Sequence, residues 1–188
     1  MILESIVTTR NADGRINVAP MGPRVDESIT TITLKPFRSS TTFENMRHSS
    51  VAVVHVTDDV DLIASAAIGE SCADGLTQPL LDRWVRLVDC CRWFAIEVTS
   101  WSDDPKTGVD PRPEATCRIV HSGEQRPMFG LSRAKQAVVE AAILATRVHI
   151  LGREEIRRQM EPLSVLVTKT GGANERRAWQ RLETYVDG

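Results

Sequence analysis

The sequence predicts a mainly β protein with a helical tail. A small six-stranded antiparallel barrel, closed or split, takes residues 1–123, and a helical subdomain takes residues 124–188. Three observations predict this. Six segments rich in β-branched and aromatic residues fall before residue 123. After it, apolar residues recur at helical spacing. A chain of 188 residues is long enough to bury a sizeable core as one large domain or two small ones.

Leu3–Arg10 is the first strand, by its β-branched content. Asn11-Ala12-Asp13-Gly14 turns the chain, because Asp-Gly accepts the positive φ of a tight hairpin, and Arg15–Ala19 returns as the partner. Pro20-Met21-Gly22-Pro23 stops regular pairing, since proline supplies no ladder donor. The small Ala19 and Gly22 leave room there for a flat ligand, or merely for a bend. Ser28–Leu34 is the third strand, and a short helix over Thr42–Arg47 follows. Val51–Val56 is a nearly continuous apolar strand, a pattern that implies burial on both faces. Thr57-Asp58-Asp59 caps a segment from Val60 to Ile68.

Gly69–Gln78 is loop-like, and Leu80–Val88 has apolar residues at mixed spacing. Trp93–Trp101 is the fifth strand and Ala115–His121 the sixth. Between them Ser102–Pro113, with three prolines, a glycine and three aspartates, is an exposed loop. Beyond residue 123, Ser132 caps a helix whose apolar positions run from Ala134 to Val148, and Gly152 closes it. Arg153–Met160 starts a second helix, and Pro162 opens a third as its first residue. Gly171-Gly172 ends that helix, and Asn174 caps the last one, which carries Ala178, Trp179 and Leu182.

Composition excludes several function classes. With 41% hydrophobic and 26% charged residues the chain reads as an ordinary globular protein. A net charge of -2 leaves no basic surplus for non-specific nucleic-acid binding. No apolar run approaches the roughly 18 residues of a membrane span. The start, Met1-Ile2-Leu3-Glu4, lacks the basic lead of a secretory signal, so the expected location is cytoplasmic. Cys72, Cys90, Cys91 and Cys117 form no metal-type pair and read as buried or half-buried thiols. His48, His55, His121 and His149 are scattered, and no metal site is expected. There is no dinucleotide fingerprint after a strand, no nucleophile elbow, and the Lys169-Thr170-Gly171-Gly172 run has no glycine-rich lead.

The chemistry concentrates at Lys35-Pro36-Phe37-Arg38-Ser39-Ser40-Thr41-Thr42-Phe43-Glu44-Asn45-Met46. A strand enters this corner, proline breaks it, and a helix leaves it. A helix N-terminus has unpaired N–H groups and a partial positive charge. The hydroxyls of Ser39 to Thr42 add donors, and Arg38 adds a forked cation, a set that suits a phosphate monoester. The other reading is a plain capping box, with Thr41 as N-cap, Glu44 three residues on, and nothing bound.

Ile6-Val7-Thr8-Thr9-Arg10-Asn11-x-Asp13-Gly14, Asn17-x-Ala19-Pro20-Met21-Gly22, Phe37-x-x-Ser40-x-Thr42-x-x-Asn45, Val56-Thr57-Asp58-Asp59, Glu140–Arg147 and Lys169-Thr170-Gly171-Gly172 occur in order. Together they resemble the domain of unknown function 447 family, an FMN-binding split-barrel group related to flavin reductases. The resemblance implies a homodimeric split barrel with FMN near the dimer interface, and a helical C-terminal subdomain. It implies that Arg38, Ser39, Ser40, Thr41, Thr42 and Asn45 hold the FMN phosphate and ribityl chain. Ala19, Pro20, Met21 and Gly22 would lie beside the isoalloxazine, and Lys35 and Phe37 would flank the ring. The implied activity is a flavin-dependent oxidoreductase, with a nicotinamide electron donor, no side-chain acid or base assigned, and a link to one-carbon metabolism. A non-catalytic flavin carrier or a structural partner protein is the alternative.

Overall fold

A computed structural model of the chain describes residues 1–70, 73–102 and 112–188. Cys72 and most of the loop expected over Ser102–Pro113, residues 103–111, lie outside the described residues. The strands are β1 (Ser5–Arg10), β2 (Ile16–Met21), β3 (Arg24–Val25), β4 (Thr31–Leu34), β5 (Val51–Val56), β6 (Thr77–Leu80), β7 (Trp84–Leu87), β8 (Arg92–Ser102) and β9 (Glu114–Glu124). The helices are α1 (Thr41–Ser49), α2 (Val60–Ala67), α3 (Arg133–Ala145), α4 (Val148–Leu151), α5 (Arg153–Thr170) and α6 (Ala173–Asp187). They group into two compact units, Met1–Thr57 with Cys72–Pro127, and Asp58–Ser71 with Met128–Gly188. The residues around α2, which the sequence assigns to the barrel, group with the helices.

The first unit is a curled antiparallel sheet in the order β2-β1-β5-β8-β9-β4-β3, with β6 and β7 paired as a second, small sheet. The class is the one expected, a split barrel with helices, but the main sheet has seven strands, not six. The added strand, β3, is two residues long, too short to carry any periodicity. The β6–β7 pair went unread because Pro79 interrupts it; proline is tolerated there because a two-stranded ribbon is all edge.

β5 explains the sheet's two faces. Ala52 and Val54 join the larger core with Val7, Ile32, Leu34, Met46 and Ile96. Val51 and Val53, on the opposite side of the pleat, pack with Trp84 and Ala95 beneath β7. Burial on both sides is why β5 is apolar at almost every position. On β8, Trp93 lies across Gly123 of β9, where an added Cβ would stand 2.8 Å from the indole.

The second unit buries the inner faces of α2, α3, α5 and α6, with Ala134, Ala137, Val138, Ile156, Ala178 and Leu182 at its centre. Ser132 caps α3 as expected, accepting from the Lys135 N–H. Two boundaries differ from expectation. Pro162 lies inside one continuous helix, Arg153–Thr170, and does not open a new one. Gly172, not Asn174, is the N-cap of α6, and Glu175 accepts from the Gly172 N–H at 2.8 Å.

α2 is laced to the later helices by charge. Asp59 caps it, accepting from the N–H groups of Asp61 (3.1 Å) and Leu62 (3.2 Å), and also from the Asn174 side chain at 3.1 Å. Asp61 lies 2.8 Å from Arg177 and 3.3 Å from Arg181, which reaches Glu70 at 2.6 Å. The Asp58 carboxylate accepts from the Phe129 N–H at 2.8 Å, and its carbonyl from Lys135. Among the described residues no helix is long and apolar enough to cross a membrane.

Candidate functional site

The corner after β4 forms because Leu34, paired with Ala115 of β9, is followed by a proline that cannot extend the ladder. The chain tightens, the Ser40 N–H donating to the Phe37 carbonyl at 3.0 Å. Ser40 then takes extended backbone angles as the N-cap of α1. Its hydroxyl donates to the Phe37 carbonyl at 2.7 Å and accepts from the Phe43 N–H at 3.2 Å. The cap therefore sits one residue before the expected Thr41. Glu44 falls one position beyond the third helical residue, so no capping box closes on it. Thr41 and Thr42 occupy the first two helical positions, and their N–H groups have no acceptor within the helix. Arg38, Ser39 and Thr41 are exposed at this positive end.

Thr42 and Asn45, expected to reach a phosphate, are turned inward. The Thr42 hydroxyl accepts from Asn17 Nδ2 at 3.0 Å, and the same amide donates to Thr9 Oγ1 at 3.2 Å. Asn45 Nδ2 donates to Thr9 Oγ1 at 2.9 Å and to Asn11 Oδ1 at 2.7 Å. Thr42 is 2% exposed and Asn45 7%, so these bonds, and not solvent, satisfy them. The five side chains lash the start of α1 to β1 and β2. Thr9, Asn11 and Asn17 were not singled out from the sequence as site residues; their only signal is that they stand inside the motifs that carry the family resemblance.

In front of this lashing runs a groove of about 430 Å³, between Asn11, Ala12 and Asp13 of the β1–β2 turn and Thr41, Glu44 and His48 of α1. Gly14 closes that turn with φ +86, the left-handed conformation anticipated for the Asp-Gly pair. The Arg15 N–H and guanidinium beside Asp13 hold its carboxyl below the usual carboxylate range.

Ala19, Pro20 and Met21 lie on β2, opposite Val7, Ile6 and Ser5 of β1. β2 ends the sheet, so its outer edge has no strand neighbour among the described residues. The Met21 carbonyl accepts from the Ser5 hydroxyl at 2.7 Å. The space left by Gly22 is taken by Ile2, whose methyl would stand 2.8 Å from an added Cβ; the glycine admits that side chain. Lys35 and Phe37 point to other partners. Lys35 Nζ is 2.9 Å from Glu114, and the Arg112 guanidinium lies 4.9 Å over the Phe37 ring. The ammonium foreseen beside a flavin ring is thus held by a carboxylate at the start of β9. Among the described residues no group of three His, Cys, Asp or Glu side chains could hold a metal ion.

Solved structures agree on the fold. The FMN-bound protein MM1853 from Methanosarcina mazei superposes with a TM-score of 0.84 at 20% identity, over 98% of this chain and 94% of that one. Flavoredoxin from Methanosarcina acetivorans matches with a TM-score of 0.54 at 13% identity, over 66% of this chain and 69% of that one. The styrene monooxygenase flavin reductase from Pseudomonas putida S12 gives 0.52 at 11%, over 66% and 82%. No curated protein matches the chain. Residues 3–126 match the N-terminal domain of the protein of unknown function family DUF447, and residues 132–184 match its C-terminal part. The chain belongs to the DUF447 family.

Proposed function

We propose that this chain is an FMN-binding protein that acts as a flavin-dependent oxidoreductase. The observation that carries the proposal is the corner at the start of α1. Two helix amides without helical acceptors stand there, next in the chain to the exposed residues Arg38, Ser39 and Thr41, in a fold whose Methanosarcina mazei relative is an FMN-bound protein. In this reading the phosphate is held by Arg38, Ser39, Thr41 and the N–H groups of Thr41 and Thr42. Ser40, Thr42 and Asn45 keep the helix start in position through the bonds described above. The open edge of β2 at Ala19–Met21 offers backbone groups to a flat polar heterocycle. Lys35 and Phe37 act through Glu114 and Arg112, shaping that end of the sheet. FMN, when bound, supplies the one- and two-electron chemistry.

The proposal extends to a homodimer, supported by the position of β2 at the end of the strand order among the described residues, and to a nicotinamide as electron donor. The buried thiols of Cys90 and Cys117 support a reducing, cytoplasmic setting. The link to one-carbon metabolism rests on the family resemblance.

The test is a titration of purified protein with FMN, followed by anaerobic addition of NADH or NADPH. Binding with bleaching of the visible band is expected; binding without bleaching makes the protein a carrier, and no binding removes the flavin reading. Arg38→Ala should weaken FMN about tenfold to a hundredfold, the effect of losing one charged hydrogen bond of roughly 1.5–3 kcal/mol. Unchanged affinity would put the phosphate elsewhere.

A further inference from the structure

The groove of about 430 Å³ between the β1–β2 turn and α1 holds a buried side chain whose bonding is incomplete. Thr41, Glu44, Asn45 and His48 recur at helical spacing, so a single face of α1 looks into it. That face is polar from end to end. Asn45 is only 7% exposed, and its Nδ2 uses both hydrogens, on Thr9 at 2.9 Å and on Asn11 at 2.7 Å. Among the described residues no donor reaches its Oδ1, and no side-chain oxygen sealed from solvent lacks a partner. Oδ1 is therefore open, and the groove is what it opens into.

The neighbours of Asn45 narrow the chemistry that would answer it. Asn11, fixed in place by accepting from Asn45, has an Nδ2 with no acceptor among the described residues. Glu44 is exposed on the groove face, and among the described residues it has no cationic partner. Asp13, across the groove, is already held by Arg15 at 2.7 Å. An anion would meet two carboxylates here. Ala12 is the sole apolar residue of the lining, so a hydrophobic body finds nothing to pack on. A bare cation would answer Glu44 and Asn45 but leave the Asn11 amide pointing donors at a positive charge. A hydroxyl donates and accepts at once, so several hydroxyls on one small ring answer all three groups.

We propose that this groove is a binding site for a neutral sugar, whose hydroxyls donate to Asn45 Oδ1 and the Glu44 carboxylate and accept from Asn11 Nδ2. The groove shares Thr41 with the phosphate corner and otherwise stands apart from it, so the sugar site does not depend on flavin binding. The probe is methyl β-D-ribofuranoside, titrated into the isotope-labelled full-length protein while NMR follows the side-chain amide signals of Asn11 and Asn45. Saturable shifts of both signals are expected. Tetrahydrofurfuryl alcohol, the same ring without the vicinal hydroxyls, should bind roughly tenfold more weakly or worse, and methylammonium should also bind more weakly than the sugar. Glu44→Ala should weaken the sugar about tenfold, and Glu44→Gln, which keeps an acceptor, should weaken it less. Backbone signals away from the groove should stay in place in both variants. No saturable shift, equal binding of the ring without hydroxyls, tighter binding of methylammonium, or undiminished binding by Glu44→Ala would each overturn the proposal. Repeating the titration in saturating FMN should leave sugar binding intact; its loss would make the groove part of the flavin's own berth and overturn a separate sugar site.

Discussion

His55 sits in β5 with no exposed surface and both ring nitrogens engaged. Nδ1 is 3.0 Å from the Ile6 carbonyl and Nε2 accepts from the Leu87 N–H at 3.0 Å, so the proton belongs on Nδ1. Charging the ring would cost burial in the core and the Leu87 acceptor together. Burial lowers its pKa from 6.5 to about 4, against the opposing pull of the Ile6 carbonyl. The unfolded chain therefore binds this proton more tightly than the folded one. Its contribution to stability is fully present above pH 6.5 and is lost as pH falls toward 4, by about 3 kcal/mol in all. The imidazole NMR signals should stay those of a neutral ring down to about pH 4; titration near 6.5 would refute this. A second residue-scale contrast separates support from contact. Asn45→Ala strips the donor from Thr9 and Asn11 and should cost about 1–3 kcal/mol in urea unfolding. Arg38→Ala, at an exposed position, should leave the unfolding midpoint nearly in place. If Asn45→Ala left stability untouched, the lashing of α1 would be dispensable.

At the scale of elements, the strands with strong composition were legible: β1, β5, β8 and β9 appear where β-branched and aromatic residues cluster. The corner before α1 was legible too, because proline and a run of hydroxyls leave few alternatives for the backbone. What could not be read was which hydroxyl faces where. A helix start fixes its cap through one dihedral pair, so displacing the cap from Thr41 to Ser40 turns Thr42 and Asn45 inward. The engagement of Lys35 by Glu114 depends on β4 pairing with β9, residues far apart in sequence. α5 shows the opposite failure, a local rule overridden by packing. Proline argued for a break, yet Ile156, Met160 and Val167 bury one face on both sides of it and carry the helix through. The interior proline still costs a backbone bond. Pro162→Ala, at an exposed position, should stabilise the protein by about 1–3 kcal/mol, read as a higher urea midpoint. A lower midpoint would mean that the ring's packing outweighs the missing bond.

On the scale of the whole molecule, the helical unit is assembled from two stretches of chain. Asp58–Ser71 leaves β5, contributes α2, and returns to β6, while its partners arrive only after Met128. The apolar periodicity of α2 marks it as a helix with one buried face, but does not reveal which helices cover that face. The bonds that hold α2 span more than a hundred residues, Asp59 to Asn174 and Asp61 to Arg177 among them. Val60, Leu62 and Ile63 of α2 are buried. A chain ending at Pro127 would keep α2 but lose α3 and α6, which cover those side chains. That truncated chain should bind a hydrophobic dye such as ANS and self-associate in size-exclusion chromatography. Replacing Leu62 and Ile63 with glutamine in the same truncated chain should restore a monodisperse, dye-silent species, since the strands of the first unit are paired among themselves. A truncated chain that is monodisperse and dye-silent without those replacements would show that α2 needs no cover from the later helices.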